Sequence, residues 1–170
     1  EIYRRDRTLW EEMYKPFWRD RRGEVPPGKK DYYPMAVFHY YAGKLSTIYS
    51  RDYIESCQRF DEVPPLTDSQ AAALNMFDEM SESPEFRLDM AFEPGDIQFL
   101  HNHQILHARA GFEDWPEIER RRHLLRLWLC PDNGRPLPDS MLERYLKIDI
   151  GDRGGIIGGN TELNVPLEPV

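Results

Sequence analysis

A chain of 170 residues, 40% hydrophobic and 31% charged, suits one domain with one core, which at this size buries roughly 70% of the surface its unfolded form exposes. Its 30 acidic against 22 basic residues give a formal charge of -8 and a pI near 5.2, a balance that repels a phosphate backbone and argues against nucleic acid as a partner. Cys57 and Cys130 lie far apart without CxxC spacing, so neither a zinc knuckle nor a disulfide framework is signalled, and free thiols in a reducing compartment are expected.

No apolar run approaches the roughly 20 residues that cross a bilayer, and EIYRRDRTLW lacks the apolar stretch of a secretory signal. The expectation is a soluble cytoplasmic protein with no membrane partner. A start at Glu1 rather than methionine suggests an excised or processed piece.

In chain order, Leu9, Trp10, Met13, Tyr14 and Phe17 at helical spacing predict a short amphipathic helix between Thr8 and Trp18. RDRRGEVPPGKKDYYP then reads as a loop, with Pro26 and Pro27 forbidding a central strand. Met35 to Tyr41 and Lys44 to Tyr49 are β-prone runs around an Ala42-Gly43 turn, a predicted hairpin. His39 lies in its first strand and reads as a satisfied structural histidine. Arg51 to Arg59 supplies a helical turn or two. Thr67 with Gln70 makes a capping box before a helix whose stripe is Ala71, Leu74, Met76, Phe77 and Met80.

Phe86 to Phe92 alternates as a strand and turns at Glu93-Pro94-Gly95 into DIQFLHNH; further strands are predicted from Ile105 to Arg109 and from Arg122 to Cys130, separated by the polar loop GFEDWPEIER. Asp139 to Leu146 is a predicted final helix capped by Asp139. Residues 151–170 read as an extended or mobile glycine-rich tail. Many short strands with helices outside them predict a mainly β protein with added helices, a β-sandwich or jelly roll.

The chemistry concentrates between Gly95 and Leu129. On an extended segment His101 and His103 share a face, and His107 joins them if the strand continues. At about 3.3 Å per residue, His101 and His107 are roughly 20 Å apart on a straight strand, so one metal takes both only if the chain turns near Asn102 and Gln104. On the strand ERRRHLLRLWL, one face carries Arg122, Leu124, Arg126 and Trp128. Arginines interleaved with Leu124 and Trp128 on a buried face require an anion, and the planar guanidinium suits a carboxylate. On a solvated face both would sit in water.

From about Tyr32 to Pro138 the chain resembles the C-terminal part of the TauD/TfdA family of iron(II) and 2-oxoglutarate-dependent dioxygenases, on the segments PGDIQFLHNHQILHARAGFEDW and RRRHLLRLWLCPDNGRPLP. The resemblance implies a double-stranded β-helix, a jelly roll incomplete in this chain, with residues 1–170 as the C-terminal portion of one such domain. It makes His107 the distal histidine of a 2-His-1-carboxylate triad, Arg122 the arginine holding the distal carboxylate of 2-oxoglutarate, and Arg126 an arginine near the substrate's acidic group or the co-substrate. Gly95 and Asp96 match the turn before the ligand strand, Asn102 an asparagine near the pocket, and Trp128 lies beside the arginines.

The implied cofactors are Fe(II) and 2-oxoglutarate, and the implied partner is a small organic substrate; Arg126 points to an acidic one, and a surface ion pair with Glu113, Asp114 or Glu117 explains it nearly as well. His101 stands where asparagine is more usual. The family's His-x-Asp or His-x-Glu pair is not found in this chain, which points to removal of the segment bearing it or to a degenerate member; the start at Glu1 and the position of the match favour removal. Two other readings stay open. His101, His103 and His107 resemble a first cupin motif, lacking its glutamate and glycine. Exposed strand edges and the aromatic hairpin suit a non-catalytic half-barrel module that pairs with another chain, a homo-oligomer included.

Overall fold

The computed structural model describes residues 1–154; the predicted tail therefore lies outside the described residues beyond Gly154. Of the helix predicted between Thr8 and Trp18 only the first half forms, as α2 (Arg7–Glu12), and a further short helix, α1 (Ile2–Arg5), precedes it. Asp6 separates them, extended, its carboxylate accepting from the Leu9 backbone N–H at 3.0 Å to cap α2. The chain then becomes β1 (Phe17–Asp20) and pairs antiparallel with β2 (Tyr32–Met35), Phe17 opposite Met35 and Asp20 opposite Tyr32. The predicted loop thus carries the end of β1 in its first residues and most of β2 in its last, and the predicted helix gives way to β1 at Phe17.

β3 (Phe38–Tyr41) and β4 (Lys44–Thr47) form the predicted hairpin. Ala42 at φ 49° and Gly43 at φ 75° both occupy the left-handed region that a two-residue turn of this hand requires. After α3 (Arg51–Ser56) comes α4 (Asp68–Glu82). Its capping box is complete: the Gln70 backbone N–H donates to Thr67 Oγ1 at 3.2 Å, and the Thr67 backbone N–H donates to Gln70 Oε1 at 3.1 Å. Thr67→Ala is expected to cost about 1 kcal/mol of stability. A shift of the urea midpoint at unchanged slope would register it; an unmoved midpoint would show the box to be idle.

One core gathers Ile2, Met13, Phe17, Val37, Ile54 and Leu74 from α1 to α4. The α2 end is tied in by the Met13 carbonyl, which accepts from the Val37 and Phe38 backbone N–H groups at 3.0 and 2.8 Å. A second core joins Tyr33, Met35 and Ile48 to Leu137, Met141 and Tyr145. There the last predicted helix is a 3-10 turn (Asp139–Met141) followed by α5 (Leu142–Tyr145); its cap is Pro138, with no side-chain bond, rather than Asp139. β5 (Ile148–Asp149) and β6 (Asp152–Arg153) close the described chain as a third antiparallel pair.

The strands predicted over Phe86 to Phe92, through DIQFLHNH, from Ile105 to Arg109 and from Arg122 to Cys130 are not formed; between α4 and residue 131 the regular structure is one 3-10 turn, Ile118–Arg120. Leu88, Ile97, Phe99 and Leu127 are all at least three-quarters exposed. An alternating segment becomes a strand only when a neighbour accepts its backbone hydrogen bonds, and among the described residues none does. The described residues therefore carry three two-stranded pairs and helices, and the predicted jelly roll is not assembled among them.

Candidate functional site

The residues singled out by the sequence fall in this exposed stretch. His107 and Asn102 are exposed, as are Arg122 and Arg126. Trp128, expected to be buried beside the arginines, is 53% exposed, because no sheet among the described residues covers that face. Arg122 is nevertheless placed: its guanidinium lies 5.4 Å from the centre of the Phe112 ring, which Arg109 also faces at 4.5 Å. Its backbone N–H donates to Asp114 Oδ1 at 3.2 Å. The arm bearing Arg122 thus folds back on the residues just beyond His107. Glu117, in the polar loop before Arg126, pairs with Arg120 at 3.8 Å.

The turn that the histidine spacing demands does occur. Gln104 and Ile105 backbone N–H groups both donate to the His101 carbonyl, at 2.9 and 3.1 Å, and the His101 and His103 rings come to 6.1 Å centre to centre. No group of three His, Cys, Asp or Glu side chains able to hold a metal exists among the described residues. His107 stands as a single candidate ligand, and one imidazole does not hold iron: the described residues do not complete an iron site, nor do His101, His103 and His107 make a cupin-like one.

His39 is buried with both ring nitrogens engaged. A carbonyl only accepts, so Nε2 donates to the Ala36 carbonyl at 3.1 Å and Nδ1 accepts from the Ser140 hydroxyl at 3.0 Å. Burial lowers its basicity. This is the satisfied structural histidine expected.

The buried polar groups lie elsewhere, in residues that carry no periodic signal. Arg19 on β1 is 1% exposed and donates through Nη2 to the carbonyls of Ile48 and Ala36 at 2.8 and 3.3 Å; burial pulls its guanidinium down to about 10. Arg135, 8% exposed, donates through Nη1 to the Leu45 carbonyl at 2.5 Å and to Ser46 Oγ at 3.1 Å. Arg153 on β6 donates to the Arg135 carbonyl at 2.6 Å, and its Nη1 lies 3.5 Å from His103 Nε2. Arg144 on α5 donates to the Tyr33 hydroxyl at 3.3 Å.

His103, 8% exposed, is fixed to the hairpin by the Thr47 backbone N–H donating to its carbonyl at 2.9 Å. Burial first, then the charges of Arg153, His101, Arg135 and Arg144, push its imidazole down to about 4. Each buried donor left without an acceptor costs roughly 1–3 kcal/mol. Sequence reading could have flagged Arg135 only as a charge lying between a turn and two prolines.

A family model described as Taurine catabolism dioxygenase TauD, TfdA family matches residues 1–128, which takes in the N-terminal helices as well as the His107 and Arg122 segments. The chain belongs to the TauD/TfdA family. FR-33289 synthase of Streptomyces rubellomurinus is 35% identical over 133 residues, 75% of this chain and 38% of the relative. The taurine hydroxylase-like protein SAT17 of Stachybotrys chartarum is 48% identical over 91 residues, 49% of this chain and 23% of the relative. The chain thus spans less than two-fifths of either relative's length. No described helix is long and apolar enough to cross a membrane.

Proposed function

We propose that this chain is part of an iron(II)- and 2-oxoglutarate-dependent oxygenase acting on a small, acidic organic substrate. His107 supplies one imidazole to the metal, and Arg122 holds the distal carboxylate of the oxo acid. The other two iron ligands come from residues outside this chain. Bound iron with the oxo acid supplies an oxidant for hydroxylating a C–H bond. The single observation that carries the reading is family membership over the segment containing both residues.

The exposed Arg122 guanidinium, folded back beside Phe112, supports the clamp: a planar, permanently charged fork is free to take a carboxylate through two bonds. Arg126, also exposed, is assigned to the substrate's acidic group. Asn102 and Trp128 are assigned to the pocket wall.

The test is oxo-acid turnover coupled to oxygen uptake, measured on the full-length protein. His107→Ala is expected to abolish it. Arg122→Gln is expected to raise the KM for the oxo acid about 10- to 100-fold, the worth of a charged hydrogen-bonded pair of roughly 1.5–3 kcal/mol. Equal rates in wild type and His107→Ala would refute the ligand assignment.

The exposed apolar residues from Leu88 to Leu129 favour a second reading, a non-catalytic half-barrel that adds its strands to another chain. An absence of both iron binding and turnover in the full-length protein would select it.

A further inference from the structure

We infer that His103, Arg135, Arg144 and Arg153 form a binding site for a small oxyanion, a phosphate, sulfate or carboxylate group, separate from Arg122. A guanidinium only donates, so the contact between Arg153 Nη1 and His103 Nε2 makes that nitrogen the acceptor and places the ring proton on Nδ1. That N–H is buried and has no acceptor among the described residues. The Nε–H groups of Arg135, Arg144 and Arg153 are in the same position, as is that of Arg19. The orphans of His103, Arg135, Arg144 and Arg153 are all donors, and what they lack is an acceptor.

Among the described residues, the carboxylates next in sequence to Arg153, Arg144 and Arg19 are engaged. Asp152 pairs with Lys147, Glu143 with Arg21 and Lys29, and Asp20 with Arg59. The site is also built rather than accidental. Arg135 is held by the Leu45 carbonyl and Ser46, Arg144 by Tyr33, and the Arg153 Nη2 by the Arg135 carbonyl, so each guanidinium is fixed at its tip while its Nε–H stays open. The Arg135 and His103 side chains are more than nine-tenths buried. An oxyanion has several lone pairs, no proton to place against these donors, and negative charge to set against the three guanidinium groups.

Titration of the 170-residue chain with inorganic phosphate, sulfate and succinate, each against chloride at matched ionic strength, tests the site by calorimetry and thermal midpoint. Saturable binding with a rising midpoint is expected for at least one of the three; the tightest identifies a tetrahedral oxyanion or a carboxylate as the natural group. Arg153→Gln and Arg144→Gln, both at half-exposed positions, are each expected to weaken it at least tenfold, while Arg153→Lys, which keeps the charge, recovers part. Arg122→Gln is expected to leave it unchanged, so failure here does not touch the oxygenase reading. Non-saturable binding, a response no different from chloride, or equal affinity in wild type and the two glutamine variants would overturn the proposal. So would a loss in Arg122→Gln as large as in Arg153→Gln.

Discussion

Phe17→Ala is expected to lower the unfolding free energy by about 3–5 kcal/mol, a large part of the roughly 5–15 kcal/mol that holds a domain together. Phe17 is fully buried. It sits where three things meet: the strand pairing with Met35, the α2 end at Met13, and the inner faces of α3 and α4 through Ile54 and Leu74. Truncation leaves a cavity walled by elements of different origin, which cannot all move inward together. Urea unfolding measures the loss. Leu88→Ala is the contrast: at 82% exposure it is expected to change stability by less than about 0.5 kcal/mol. Equal costs for the two would show that the segment beyond α4 is packed in solution and would overturn the arrangement described.

The second large effect is acid instability. His103 titrates at about 4 in the fold against an ordinary 6.5, so between those values the unfolded chain binds the proton and the folded one does not. Stability is therefore intact above pH 6.5, falls as the pH drops, and reaches its full loss below about 4, on the order of 3 kcal/mol for this group. His39, also lowered by burial, pushes in the same direction. The charged groups acting on His103 are Arg153, His101, Arg135 and Arg144, all cationic or able to become so; the Tyr145 ring, 6.2 Å away centre to centre, also faces it. Denaturation midpoints measured from pH 7 to 4 should fall, and His103→Gln should flatten the slope. A pH-independent midpoint would contradict the burial of this ring.

What the sequence made legible is local. The capping box of α4 needs Thr67 and Gln70 three residues apart, and a helix start brings those groups together whatever surrounds them. The β3–β4 hairpin needs two residues able to turn left-handed, and Ala42-Gly43 supplies them. The family membership follows from an ordered set of residues around His107 and Arg122, independent of where those side chains point. The separation of α1 from α2 at Asp6 and the strand at Phe17 escaped the reading, because helical spacing of Leu9, Trp10, Met13 and Phe17 does not say where hydrogen bonding to β2 begins.

By itself, then, the sequence determined the α4 cap, the β3–β4 turn, the acidic balance and the family, since each depends on neighbours in the chain or on composition. Only the tertiary structure decided which arginines are buried and which alternating segments become strands. Arg19 and Arg135 leave water because carbonyls distant in sequence, at Ile48 and Leu45, receive them, while Arg122 and Arg126 stay exposed because no strand among the described residues lies over their face. Strand pairing and charge burial both require a partner far along the chain, and alternation within a segment carries no record of whether that partner is there.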